Sequence, residues 1–550
     1  MTRAVLVLVV VSRAASAQNV EPSGLGSDVV GEAIEVYDER PDKPFDRDTE
    51  VRLTGEQLAA RGAIDLGTAL ALLPDVIVRD AGRGGFNVDI RGARKGAVSV
   101  LVDGVLVTDP YYGTFDVSTI PITDIVQLRL STTPQSPIDG PGGPGGVIEV
   151  VTRDAVGPQV VIARMTADSL PTLGVSGTAR VALAQKLGLR VAASGLGGAR
   201  DFSLPATAAA PSVPEARHAA TGSARLEYRD THERVVLDGF VDDRHYIAPP
   251  SDVMPSNLLV IDREATQRVQ AKADEQTGSL QLQQQAYFHH LYRRSRSFSD
   301  PTLTHQTLME ELSATRIGGM ALATAPIGKE MRWAASASVD HDHASDSLGG
   351  LVGKGDVTTI EAAADGQVEH KTVRLDAAAG VAIPLGLGAD PWPEAKLVGR
   401  WRPHYGPLEL IATLGRKGRV PSLRERFDPQ NGNPKLGPEI ADHAELRAIK
   451  QLDDRMRIEA APFYRHTTGT VRASIDPADM GHLVNLGAVD IWGVDLVGRI
   501  RVERHVELGG AWDYVKARQE AQNGKPAVDD PIDRLPHHRA EGWVQVTPEP

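Results

Sequence analysis

The chain has 550 residues, 59 of them Lys or Arg and 72 Asp or Glu, for a formal net charge of −13, and it contains no cysteine. The acidic excess argues against general nucleic-acid binding, which needs clustered basic residues. The missing thiol excludes disulfide scaffolds, thiol catalysis and cysteine-ligated metal centres. With 41% hydrophobic residues and 54 glycines, the apolar content is that of a globular protein, so wholesale disorder is excluded.

The first element is MTRAVLVLVVVSRAASAQ, with Arg3, an apolar run from Ala4 to Val11, and the ending Ala15-Ser16-Ala17 before Gln18. This is the pattern of a signal peptide over residues 1–17; the rival reading, a buried first strand, leaves the cleavage-like ending unexplained. No other apolar run reaches the roughly 18 residues of a spanning helix, and the nearest, Ala377 to Ala389, is interrupted by Pro384. An exported chain of this kind is either soluble outside the cytoplasm or a β-barrel in an outer membrane. Residues 18–48 are rich in Pro, Gly and acid, have little periodicity and read as a flexible arm. Within the arm, Glu32, Ala33, Ile34, Glu35, Val36 and Tyr37 form a short alternating segment suited to pairing as an added strand, or to serving as a first strand of the next domain.

Residues 49–156 read as a small mixed α/β domain. Thr54 and Gln57 suit a reciprocal helix cap, and Leu58, Leu66, Leu70 and Leu73 supply an apolar helical face that stops at Pro74. The runs DVIVRD, NVDIRG, SVLVDGVLV, DIVQLRL and GVIEVVTR then read as strands separated by turn residues. Asp103-Gly104 is a two-residue hairpin turn. Arg91, followed by Gly92, is a charge that needs a carboxylate partner if it is enclosed. Tyr111, Tyr112 and Phe115 fall in a loop, where exposed aromatic residues suit ligand binding.

From 157 to 550, segments of about ten residues alternate in polarity, joined by short polar turns such as Asp230-Thr231-His232 and by longer polar connections. That alternation is the signature of a transmembrane antiparallel β-barrel. Aromatic residues are only 5%, so either the interfacial girdle is sparse or Leu and Val carry the lipid face. Catalytic motifs are weak. Residues 140–145 fit G-x-G-x-x-G but precede a strand rather than a helix. Asp340-His341-Asp342-His343 sits in what reads as a polar connection, and its spacing alone makes no metal site.

In order, LALLPDVIVRDAG, DIRGA, VLVDGVLVTDP, DVSTIPITDIVQLRL and DGPGGPGGVIEVVTR resemble the plug domain of TonB-dependent outer-membrane receptors. RVPSLRERFDPQNGNPKLGPE, NLGAVDIWGVDLVGRI and LPHHRAEGWVQV resemble the family's barrel landmarks. The resemblance implies a barrel of about 22 strands plugged by the N-terminal α/β domain. It implies active transport of a scarce ligand (ferric siderophore, cobalamin, metal complex or glycan) across the outer membrane, with no enzymatic step and no cofactor. The implied partners are a TonB-type energy transducer in the periplasm, outer-membrane lipid and a small-molecule or metal-chelate ligand, with the receptor acting as a monomer. Residues 32–37 are similar to the family's TonB box. Loops 82–87, 93–96 and 108–114 are placed by the resemblance at the plug apex, with Arg83, Phe86, Tyr111 and Tyr112 as ligand contacts. Three departures stand out: Asp75 replaces the usual Gly after Pro74, Ser131-Thr132-Thr133-Pro134 replaces Arg-Gly-Pro, and the sequence ends in VTPEP without a terminal aromatic strand. Only 18 or 19 strand candidates can be counted, so the barrel is expected to be incomplete at its C-terminus. A surface receptor or adhesin on the same scaffold and an exported soluble β-rich hydrolase are the competing readings.

Overall fold

The structure is a computed structural model that describes residues 5–12, 51–73, 75–81, 85–168, 172–203, 212–248, 258–300, 302–403, 408–453, 455–474, 481–520, 527–532 and 535–546. The helical face read from the leucines is split in two, because Gly62 at φ 89° ends the first turn. Gly55–Ala60 is capped reciprocally by Thr54 and Gln57, both bonds at 3.0 Å, and Leu66–Leu70 is capped by Asp65 with Thr68. Leu58, Leu66, Leu70 and Leu73 are all buried in one core with Ile125, Leu128, Ile148 and Val150. That core rests on a five-stranded sheet in the order Val51–Thr54, Ile125–Ser131, Gly146–Thr152, Val98–Val102, Val105–Leu106. Asp103 and Gly104 join the last two strands with φ of 53° and 83°, positive at both central positions as a type I′ hairpin turn requires.

Around this domain runs a wall that comprises, among the described residues, nineteen strands besides the two-residue Val528–Asp529 paired on Val506–Gln519. Eighteen run from Val160–Asp168 to His538–Val546, which agrees with the number legible in sequence; the other is Val5–Ser12, paired antiparallel with Val160–Asp168. Most of the Ala4–Val11 run read as the apolar core of a signal peptide thus falls in a strand on the edge of the wall. Antiparallel register continues from strand to strand up to His538–Val546, and no register joins that strand to Val5–Ser12 or Val160–Asp168 among the described residues.

The strands alternate as a barrel wall must. Arg225 and Glu227 point inward and are buried, while Leu226 between them is 40% exposed on the outside. The outward apolar side chains are mainly Val and Leu, with Phe288, Trp401, Tyr464 and Trp512 as the large exposed aromatics among the described residues. Aliphatic residues thus carry the lipid face. Strands reach 22 residues, as in Gln306–Ile327, about twice the 9–11 that cross a bilayer, so the wall extends beyond the hydrocarbon. Asp340-His341-Asp342-His343 lies inside the strand Met331–Leu348 and not in a connection, a correction that follows from this added length. Turns of two or three residues (185–186, 230–232, 278–279, 328–330) cluster at one end, and the long connections 420–438 and 469–488 mark the other, which also carries the short turn 349–350.

Candidate functional site

The site is the interface between plug and wall, and its polarity follows from the inward half of the strand alternation. Toward the short-turn end, register places Arg180, Arg190 and Arg225 side by side on three neighbouring strands. Like charges directly opposite each other destabilise a sheet; here plug carboxylates neutralise Arg190 and Arg225, and Arg180 donates to the Pro158 and Asp154 carbonyls. Asp124 binds Arg190 at 2.5 Å, and Asp103 binds Arg225, which also takes wall residue Asp238 at 2.7 Å. Asp154 adds bonds to Arg229 at 2.5 Å and Arg234 at 2.8 Å. Asp103 further accepts from Thr152 N at 2.9 Å, so the hairpin turn fixes the carboxylate that the wall reads.

Higher in the interface, Asp116 binds Arg244, and Ser118 accepts from Arg217. Burial raises the Asp116 carboxyl, but the Arg244 and Arg217 guanidiniums beside it hold it below the usual range. The Arg217 guanidinium also faces the Phe86 ring at 5.3 Å, and Arg268 faces Phe115 at 5.3 Å. The opposite flank reverses the signs. Ile90-Arg91-Gly92-Ala93 is a tight turn closed by hydrogen bonds in both directions, with positive φ at Arg91 and Gly92. It projects Arg91 onto Glu445 at 2.5 Å and onto Asp495, with its guanidinium 4.2 Å above the Phe463 ring. A side chain at residue 92 would meet Ile532 and Leu535 at 3.3 Å, so glycine serves both turn and fit. Lys396 donates to Thr133 at 3.0 Å and to the Pro134 carbonyl at 2.5 Å. At the motif where the resembling receptors carry an arginine, the wall supplies the cation.

At the long-connection end the sequence expectation for the tyrosines needs correction. Tyr111 and Tyr112 are not exposed: they are 1% and 5% accessible, stacked edge to face at 4.9 Å. They pack with Leu291, Leu312, Val357 and Leu423, and the Tyr111 hydroxyl donates to Asp346. Burial first, then the Asp346 carboxylate, push the Tyr111 phenol up, so it stays a neutral donor. The 108–114 loop is apolar enough to be covered by the helix Leu423–Phe427, whose Arg424 N donates to the Tyr111 carbonyl. Tyr112 and half-buried Phe86 line a cavity between plug and wall together with Asp109, Phe240 and His289. His289 is 4% exposed, and among the described residues both its ring nitrogens lack a hydrogen-bond partner. Arg83 and residues 32–37 lie outside the described residues. His289, beside His290, read in sequence only as part of a polar lumen or loop, and the wall arginines were not singled out, although each occupies an inward position of an alternating strand, as in Leu189-Arg190-Val191 and Ala224-Arg225-Leu226.

A small domain held inside a strand wall by charge pairs on its flanks defines a plugged β-barrel receptor. Residues 45–147 match the TonB-dependent receptor plug domain, and residues 220–548 match the TonB dependent receptor-like β-barrel. The chain belongs to the TonB-dependent receptor family. Its fold is similar to that of the copper transporter OprC, at 14% identity and a TM-score of 0.76 over 91% of this chain and 84% of that one. It is also similar to the ferric yersiniabactin uptake receptor FyuA from Yersinia pestis, at 14% identity and a TM-score of 0.67 over 90% and 83%. A third likeness is to the ferric-catecholate import receptor Fiu from K12 E. coli, at 13% identity and a TM-score of 0.70 over 91% and 84%. No curated protein matches the sequence.

Proposed function

We propose that this receptor imports a metal-containing small molecule across the outer membrane, drawing energy from a TonB-type transducer that grips residues 32–37. The observation that carries the reading is the plug–wall interface: outside two small apolar patches, around Tyr111 and Tyr112 and around Ile138, it is made of ion pairs and hydrogen bonds rather than of a continuous apolar core. Water can replace such contacts as they break, so the plug can shift without exposing a large apolar surface. The alternating segment 32–37 suits pairing with a partner strand, where main-chain hydrogen bonds transmit force. Residues 1–17 act as the export signal, and removing them frees the edge of Val160–Asp168 that Val5–Ser12 covers. The metal-containing class is supported by relatives of the same fold that carry copper or ferric chelates, and the cavity beside Phe86, Tyr112 and His289 is the contact region.

The test is uptake by cells carrying this receptor as their sole importer, offered radiolabelled ferric siderophores, copper and cobalamin in turn. Import of at least one compound that is lost when residues 32–37 are deleted, with surface binding retained, is the expected result. Equal accumulation with and without that segment would leave a surface receptor or adhesin as the function.

A further inference from the structure

Asp495 and Asp513 are direct cross-strand partners on Val489–Glu503 and Val506–Gln519, both facing inward. They are 3% and 6% exposed. Paired carboxylates at this position repel, and the plug adds a third: Asp75, whose ligating oxygen lies with theirs inside a 4.8 Å cluster. Asp75 has φ 66°, a left-handed conformation that a glycine would take without strain. Among the described residues, Oδ1 of each of the three buried carboxylates accepts no hydrogen bond, although Arg91 Nε lies 3.8 Å from that of Asp75.

The neighbouring cations do not balance the group. Arg91 contacts Asp495 and comes within 3.8 Å of Asp75, but it is also the partner of Glu445. Arg539, across the sheet from Asp513, gives its hydrogen bonds to the Leu73 and Val76 carbonyls and to Glu541. Among the described residues these two guanidiniums thus face five carboxylates, and Arg447, a further cation on Glu445, is shared with Glu459. Three convergent carboxylates with unused oxygens, buried and short of positive charge, form the donor set of a hard divalent cation.

We propose that Asp75, Asp495 and Asp513 bind a divalent cation, with calcium the better fit than magnesium, and that it clamps the plug to the wall. Calcium accepts six to eight oxygens in irregular geometry from mono- or bidentate carboxylates, whereas magnesium holds to an octahedron and keeps its waters. The proposal does not depend on what the receptor transports.

The experiment is calorimetric titration of calcium chloride into the EDTA-stripped full chain in detergent micelles, alongside Asp75→Gly and Asp513→Asn. Asp75→Gly removes the carboxylate while suiting the backbone, so it should leave the fold intact. One calcium per chain, with affinity at least tenfold weaker in Asp75→Gly and Asp513→Asn, is expected. The thermal midpoint of the wild-type chain should rise with calcium and that of Asp75→Gly should not. Absence of saturable calcium binding, or unchanged affinity in Asp75→Gly, would overturn the proposal; the first outcome would mean that the three carboxyls share protons instead.

Discussion

Asp103 shows how one side chain ties local structure to the whole assembly. Its positive φ closes a hairpin, its carboxylate accepts from Thr152, and the same carboxylate meets Arg225 on the wall. Removing one partner of a buried pair leaves a charge uncompensated, at a cost of about 3–5 kcal/mol. Arg225 keeps Asp238 and has Asp154 at 3.6 Å, so Asp103→Asn should fall below that range, while Arg225→Met takes a cation from Asp103, Asp238 and Asp154 together and should cost more, even though Asp154 keeps Arg229 and Arg234. Urea unfolding of the plug, followed in the detergent-solubilised protein, checks the order. Equal losses in the two variants would contradict the shared-arginine account. The turn itself was legible from Asp-Gly between apolar runs; its ionic partner was not, because Arg225 is 122 residues away and only register brings it near.

At the scale of elements, the helix Leu423–Phe427 carries the long connection back onto the plug. Ser422 and Glu425 cap it reciprocally at 3.3 and 2.9 Å, and Glu425 also binds Arg419 at 3.0 Å and plug residue Lys95 at 3.4 Å. Burial raises the Glu425 carboxyl, but Arg419 and Lys95 outweigh it and hold it down to about 2. A carboxyl depressed in the folded state stabilises above its unfolded value of about 4.3 and loses that contribution as pH falls through the folded value. The connection 420–438 should therefore stay protected at pH 5 and open progressively between about pH 4.5 and 2. Hydrogen exchange of that segment measures this, and Glu425→Gln should remove the pH dependence while weakening protection throughout. Identical acid opening in both proteins would place the sensitive group elsewhere. The Thr54 cap and the strand candidates were read from the sequence, whereas the Ser422 cap was not singled out there. The burial of Tyr111 and Tyr112 was not, because their cover comes from distant strands and from this helix.

For the whole molecule, alternation fixed the architecture and left the interior pairing unspecified. An inward arginine reads the same in sequence whether it faces water or a plug carboxylate. The departures from the family pattern became intelligible only in three dimensions: Asp75 joins two wall carboxylates, and Lys396 supplies the charge missing from Ser131-Thr132-Thr133-Pro134. The central claim is that the plug must move relative to the wall for import. The chain has no cysteine, so a single engineered disulfide is unambiguous. A Cβ at residue 113 would lie 3.3 Å from that of Ser422, near the 3.5–4.5 Å of a disulfide. The measurement is uptake of whichever labelled compound the receptor imports, by cells carrying Gly113→Cys with Ser422→Cys, before and after reduction. The account predicts binding without import in the oxidised state and recovery of import on reduction; undiminished import through the oxidised, cross-linked receptor would contradict it.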